Sequence, residues 1–477
     1  MGIASPCNFS HEARDINLTV HGDDFLVAGS REDCNWLREK MKKKYELKFN
    51  MLGPEGDCDK EIRILNRVIR WTKYGIEYES DQRHADTIVD ELDLGNAKPV
   101  STPGVTELKE AGNGSSVEEL TGSQVTKFRS IAARLNFLAL DRADIQYAAK
   151  CICKYMSKPT QGSWDLLKRA GRYLKGTPRV VQQFPWTKAD GSVYGFADSD
   201  WAGDRKDAKS TSGGVLQWAG HTLKTWSSSQ STIALSSGEA ELYALTKCAA
   251  QTVGMISIAR DFGILLNGLV TTDSTAAMGI VHREGLGRTR HIQCQYLWLQ
   301  EKTKDKSIIM EKVSTKENPA DLMTKHLCVD TKNEHMARLK MVATSGKAGI
   351  GLTINSVLKD TIKVKKQAPS DFWINGDMWR RRHNKLRSTL FTPLKVSKGP
   401  SNPSDVGCLR VIVGTTRTGK PFEHKDFWKS STNLHMRVEP FRGETIFMKG
   451  FSDNGQSTEA LRPWGGDENT PIYMMHV

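Results

Sequence analysis

The sequence predicts an α/β fold, a mixed sheet flanked by helices, and three observations carry that reading. A short alternating run, Val193 to Ala197, ends on an acid, Asp198. Two more strand-like runs, 214–218 and 222–227, follow it and are joined by the turn Ala219-Gly220. A helix then opens with Glu239 and Glu241, and Leu242, Leu245 and Ala249 recur along it at helical spacing as a core stripe.

The next elements extend the pattern. Gly268 to Asp273 is a buried-type run that again ends on an acid, and helix formers follow from Ser274 to Val281. In VSTKENPADLMTK, Asn318-Pro319 opens a further helix and Asp321 falls in its first turn, where proline and acids are both favoured. A strand-end or helix-cap acid taken alone is ordinarily a solvated surface group. Four of them in the order strand, helix, strand, helix are harder to account for that way. One strand acid, a hairpin and a helix acid form the layout of a ribonuclease H-like core, whose chemistry uses carboxylates from separate elements to hold two magnesium ions about 4 Å apart.

The segments ADSDWAGD, KSTSG, WSSSQ, ALSSGEAELYAL and ENPADLMTK resemble the ribonuclease H domain of copia-type retrotransposon Pol polyproteins. The resemblance implies metal-dependent hydrolysis of the RNA strand of an RNA–DNA hybrid. It assigns Asp198, Glu241, Asp273 and Asp321 as catalytic, metal-binding acids, with two Mg2+ ions as cofactor and Mn2+ as a substitute. Glu239 and Asp200 are the neighbours that compete with them. Glu241 is preferred because Glu-Leu-Tyr-Ala matches the Glu-x-x-Ala that begins the catalytic helix of ribonucleases H. Glu239, about 200° away around the helix, is expected to point elsewhere. Ser210, Ser212 and Gln230 either line the hybrid or cap and tie strands. Arg290 and His291 stand at the family's Lys-His-Ile motif, with Gln293 in place of its usual acid. His291 fits a direct nucleic-acid role or plain helix packing.

The rest of the chain follows the same resemblance. INLTVHGDDFLVAGS reads as a hairpin around Gly22-Asp23-Asp24, and with GIASPCNF upstream it resembles the palm of a copia-type reverse transcriptase. This makes Asp23 and Asp24 metal-ligand candidates. His21 stands where the family has an aromatic residue, and the palm's third carboxylate belongs many tens of residues further upstream. The polymerase part is therefore expected to be inactive alone, unless an upstream polyprotein product completes it. A basic helix over REDCNWLREKMKKKYEL, a hairpin around Lys73-Tyr74-Gly75 and a thumb-like helix over SDQRHADTIVDELDL complete residues 1–100, the partial palm and thumb. A linker is expected over 101–125, a helical connection over 126–185, the ribonuclease H domain over 186–330 and a second linker over 331–369. The family's Arg-Pro-Asp-Ile appears as Arg142-Ala143-Asp144-Ile145, without its proline. Lys168, Arg169, Arg172 and Lys175 give one helix a basic face, suited to phosphate or simply to solvent. Residues 370–477 are unassigned. Their scattered short strands read as a small β-rich nucleic-acid-binding appendage or as a poorly folded tail.

Composition narrows the partners. A formal charge of +13 over 477 residues favours a polyanion, because lysine and arginine gain affinity by releasing phosphate counterions. No run of 18 apolar residues occurs, so no membrane span is expected. The first residues lack the pattern of a signal peptide, and the nine cysteines form no paired framework. A cytoplasmic or nuclear location is the expectation. The competing functional reading is a nucleic-acid-binding remnant without catalysis, and the intact acids favour the enzyme.

Overall fold

The structure, a computed structural model, describes residues 1–105, 118–204, 207–285, 287, 291–292 and 294–351, together with three C-terminal strands. Strands β1 (Asn8–His11), β2 (Ile16–His21) and β3 (Asp24–Ala28) form an antiparallel meander. The expected hairpin is present, with His21 opposite Asp24 and Gly22 at φ 60°. Helix α1 (Arg31–Lys42) covers it, packing Cys34, Leu37 and Met41 onto Ile16, Phe25 and Val27, and β4 (Lys48–Leu52) follows.

Strands β5 (Glu61–Ile64), β6 (Arg67–Thr72) and β7 (Gly75–Glu79) form a second meander. The hairpin around Lys73 is its second half. The first turn, at Leu65-Asn66 with φ of 46° and 66°, escaped the sequence reading, since leucine is foreign to a turn with two positive φ angles. Helices α2 (Arg83–Glu91), α3 (Ser123–Leu138), α4 (Ala143–Cys153) and α5 (Gln161–Gly176) then share one core, in which Phe128, Ile131, Leu135, Ile145, Leu167 and Tyr173 are fully buried.

Strand β8 (Arg179–Pro185) pairs with β7, so the region expected to be a purely helical connection ends in a strand. The central unit comprises β9 (Ser192–Asp200), β10 (Thr211–Trp218), β11 (His221–Ser229), α6 (Ser237–Asp261), β12 (Asn267–Thr272), α7 (Thr275–His282), α8 (Cys294–Lys304) and β13 (Ile308–Lys312). Its sheet has the order β11-β10-β9-β12-β13. Strand β10 runs antiparallel to both β9 and β11, whereas β12 is parallel to both β9 and β13. This is the mixed sheet flanked by helices that the sequence predicts. Helix α6 lies across it, with Leu242, Leu245, Cys248 and Ala249 packed among Val193, Ala197, Leu216 and Val270.

The expected linker over 331–369 is overturned in its first part. Helix α9 (Val329–Arg338) and strand β14 (Met341–Thr344) occupy it, and β14 pairs antiparallel with β8 to complete the sheet β14-β8-β7-β6-β5. Met336, Leu339 and Met341 are buried with Leu322, Met323, Val180 and Val215. Their spacing straddles a helix end and a strand start, so neither periodicity shows in the sequence. Beyond residue 351, β15 (His435–Pro440) pairs with β16 (Ile446–Phe451), and β17 (Ile472–His476) lies between β3 and β4. The remainder of 370–477 lies outside the described residues. Among those residues no helix is long and apolar enough to cross a membrane.

The extra helix and strand set a boundary that can be measured. A chain ending at Thr344 is expected to keep the cooperative melt of the central unit, whereas one ending at Leu327 should melt several degrees lower, having lost three buried apolar side chains and the strand covering β8. Equal melting temperatures by circular dichroism would show that α9 and β14 do not stabilise the fold.

Candidate metal centre

Each acid reaches the site by a different local rule. Alternation along β9 turns Val193 and Ala197 into the core and leaves Asp198, 2 % exposed, at the end of the central strand. Ser236 caps α6 by accepting from Glu239 N, which sets the helix phase and brings Glu241 round to face β9. Asp273 directly follows β12, and the next residue, Ser274, caps α7. Carboxylate oxygens of Asp198, Glu241 and Asp273 lie within 4.8 Å of one another, the grouping of ligand-type side chains found among the described residues.

The fourth expected acid arrives differently. Asn318 accepts from Ala320 N, but Pro319–Met323 is a short 3-10 turn rather than the opening of an α-helix. Gly213, paired with Asp198 across the sheet, lets this turn close on β10, because a Cβ there would lie 2.6–2.9 Å from Thr324, Met323 and Ala320. Asn318 Nδ2 donates to Ala197 O (2.9 Å), and Thr324 Oγ1 donates to Asp198 Oδ2. Asp321 is buried yet stands outside the triad. Lys325 Nζ joins the two, 3.1 Å from Asp321 Oδ1 and 3.3 Å from Asp198 Oδ2. The sequence reading missed Thr324 and Lys325, although an acid with lysine four residues later is itself a recognisable pairing signal.

The electrostatics follow from burial. Desolvation pushes Asp198 up to about 7; Asp321 and Asp273 add to the shift, while the Lys325 charge opposes it. Desolvation also pushes Glu241 up to about 8, with the Asp198 charge next in size and the Ser199 hydrogen bond opposing. Glu241 Oε1 accepts from Ser199 N (3.2 Å), whereas its buried Oε2 has no hydrogen-bond partner. An orphaned carboxylate oxygen facing two further acids is the donor set that a hard divalent cation would satisfy, so the residues fit a metal ion.

The remaining expected site residues divide. Glu239 is 2 % exposed and outside the triad, as expected; it accepts from Leu235 N (3.0 Å), His291 Nε2 (2.9 Å) and the Tyr243 hydroxyl. Burial pushes the Glu239 pKa up, but those hydrogen bonds outweigh it and the net shift is downward. His291 thus holds the start of α6 rather than touching the triad. Arg290 and Gln293 lie outside the described residues. Asp200 is half-buried at the strand end, beside Gly203. Ser210, Ser212 and Gln230 tie strands: Ser210 Oγ accepts from Ala202 N (3.0 Å), and Gln230 Nε2 donates to Ser212 Oγ (3.0 Å) and Ala240 O (2.8 Å). All three are buried, and these bonds tie neighbouring segments of the sheet. Asp23 and Asp24 sit at the β2–β3 turn, and among the described residues no third ligand-type side chain joins them.

No protein-family profile matches the chain. It is 28 % identical over 333 residues to the retrovirus-related Pol polyprotein from transposon TNT 1-94 of Nicotiana tabacum, covering 68 % of this chain and 24 % of that protein. It is 33 % identical over 236 residues to an uncharacterised mitochondrial protein of Arabidopsis thaliana, covering 49 % of this chain and 92 % of that one. A solved foamy viral protease-reverse transcriptase in complex with an RNA/DNA hybrid aligns with 54 % of this chain and 30 % of its own, at 12 % identity and a TM-score of 0.32. Several of the relatives the chain matches are retrovirus-related Pol polyproteins from plant transposons, at 28–30 % identity, and a copia-type origin fits them. The chain spans about a quarter or less of the Pol polyproteins it matches.

The clustered acids predict how the metal-free protein responds to pH. Folding raises the pKa values of Asp198 and Glu241 above those of the unfolded chain, so their contribution is most favourable below about pH 4 and is lost as pH rises through 7 to 8. In chelator, stability is expected to fall by on the order of 2–4 kcal/mol from pH 5 to pH 8.5, and Asp198→Asn should flatten that slope. Denaturant melts across this range measure it. An unchanged slope in the variant would contradict the electrostatic account.

Proposed function

We propose that the chain is a metal-dependent nuclease of the ribonuclease H type, hydrolysing the RNA strand of RNA–DNA hybrids. The carrying observation is the convergence of Asp198, Glu241 and Asp273, from β9, α6 and β12, with a buried Glu241 oxygen left unsatisfied. The strand order and the helix carrying Glu241 support a ribonuclease H-like core for residues 186–330. The preferred cofactor is Mg2+, with Mn2+ able to substitute, since an all-carboxylate donor set suits hard cations.

In this reading Asp198, Glu241 and Asp273 would hold one ion, and Asp198 with Asp321 a second. A bound divalent pair supplies an activated water and charge stabilisation at the leaving oxygen. The protein's own part is positional. Thr324 and the Ser199 N–H fix the orientations of Asp198 and Glu241, and the Glu239–His291–Tyr243 group fixes the phase of α6. The net positive charge supports a polyanionic nucleic-acid partner. Among the described residues no third ligand-type side chain joins Asp23 and Asp24, so this reading assigns no polymerase activity to the chain by itself, and an upstream product of the same polyprotein is the partner that would complete that half.

Cleavage of a labelled RNA–DNA hybrid by the chain, present with Mg2+ or Mn2+ and absent with chelator, is the direct test. Asp198→Asn and Asp273→Asn should fold and lose activity by more than the roughly 10–100-fold typical of an outer-shell partner. Glu239→Gln should keep cleavage but melt lower, because it weakens three hydrogen bonds to a buried carboxylate. Metal-independent hybrid binding with no cleavage would replace the enzyme by a nucleic-acid-binding remnant.

A further inference from the structure

Asp198 belongs to two groups at once. On one side it meets Glu241 and Asp273, where the buried Glu241 Oε2 has no partner. On the other side it shares with Asp321 the Lys325 ammonium, at 3.3 and 3.1 Å. One half of the site carries uncompensated negative charge. The other half already holds a cation.

We propose that Lys325 is a built-in stand-in for the second divalent ion, holding Asp198 and Asp321 together in the substrate-free protein and leaving when an ion enters that half. The inference rests on the metal-dependent reading above and adds an order of loading to it. The turn bearing Lys325 is fixed independently of the ammonium. Asn318 Nδ2 bonds Ala197 O, Thr324 Oγ1 bonds Asp198, and Lys325 N donates to Asp321 O (3.2 Å). The turn also packs against Gly213. With the backbone anchored there, removing the ammonium leaves Asp321 in place. The lysine side chain is 38 % exposed, so its flexible four-carbon stem can swing to solvent without backbone movement. The two halves are therefore unequal by construction. The triad receives an ion by releasing only protons, whereas the Asp198–Asp321 half must first release an ion pair. Lys325 acts here as a positioning residue through the two carboxylates, and it makes the second ion the weaker of the two.

Manganese titration of the full chain without nucleic acid, read by electron paramagnetic resonance, tests this. The wild type is expected to bind one Mn2+ tightly and a second at least about tenfold more weakly. Lys325→Gln should bring the second ion to within a fewfold of the first, and Lys325→Arg, keeping a cation, should restore the inequality. Asp321→Asn placed on Lys325→Gln should return the count to one tight ion. Two ions of equal affinity in the wild type, or a second site unmoved in Lys325→Gln, would overturn the role of Lys325 and leave the nuclease reading standing. No bound Mn2+ in any of these proteins would overturn both.

Discussion

Three carboxylates held within 4.8 Å of one another, two of them buried, form the constraint on which this structure turns. Charged groups lose their hydration there and repel one another, which is unfavourable for folding and is the usual signature of a site kept for function. Every local feature around Asp198 limits that cost. Thr324 and Ser199 N–H donate hydrogen bonds, and Lys325 supplies an opposite charge. Of these, Thr324 and Lys325 lie outside the strands that carry the acids. The 3-10 turn after β13 must dock first, and Gly213 is the residue that leaves room for it.

A second buried network ties the helical layer to the segment that follows the site. Arg142 and Asp144 are wholly buried and form a bidentate pair at 2.8 and 2.7 Å; the Tyr173 hydroxyl donates to Asp144 (2.8 Å), and Lys332 on α9 reaches that hydroxyl and Ser101 O. Removing one member would strand an unpaired charge in the core, the costly way to break such a pair. Arg142 stands at the start of α4 with φ −130° and ψ 82°, Ala143 following, and its side chain is anchored to Asp144. At the opposite end of the central unit, Asp261 accepts the backbone N–H groups of Ile3, Ala4 and Ser5 at 2.6–3.1 Å, docking the N-terminal segment onto the end of α6.

The legible parts of the site were those set by local periodicity. The alternation of β9, the stripe of α6 and the acid ending the 268–273 run place Asp198, Glu241 and Asp273, and the helical phase separates Glu241 from Glu239. Roles that depend on what lies across the fold were open. Ser210, Ser212 and Gln230 are polar residues in a sequence that permits either a surface or a strand-tying role. In the structure they are buried, and Gln230 Nε2 bonds Ser212 Oγ. His291 is open for the same reason, and its hydrogen bond with Glu239 is a contact across 52 residues.

By itself, the sequence determined the mixed α/β class and the identity and order of the acids, because strand alternation, helix phase and capping are encoded within a few consecutive residues. Tertiary structure alone decided that Asp321 stands outside the triad behind Lys325, that residues 329–344 complete a sheet begun before residue 80, and that Glu239 belongs with His291 and Tyr243. These outcomes depend on which surfaces meet. A β-strand edge or a buried carboxylate takes its partner from whatever element the packed core brings within about 3 Å, and residues far apart in sequence carry no local mark of that meeting.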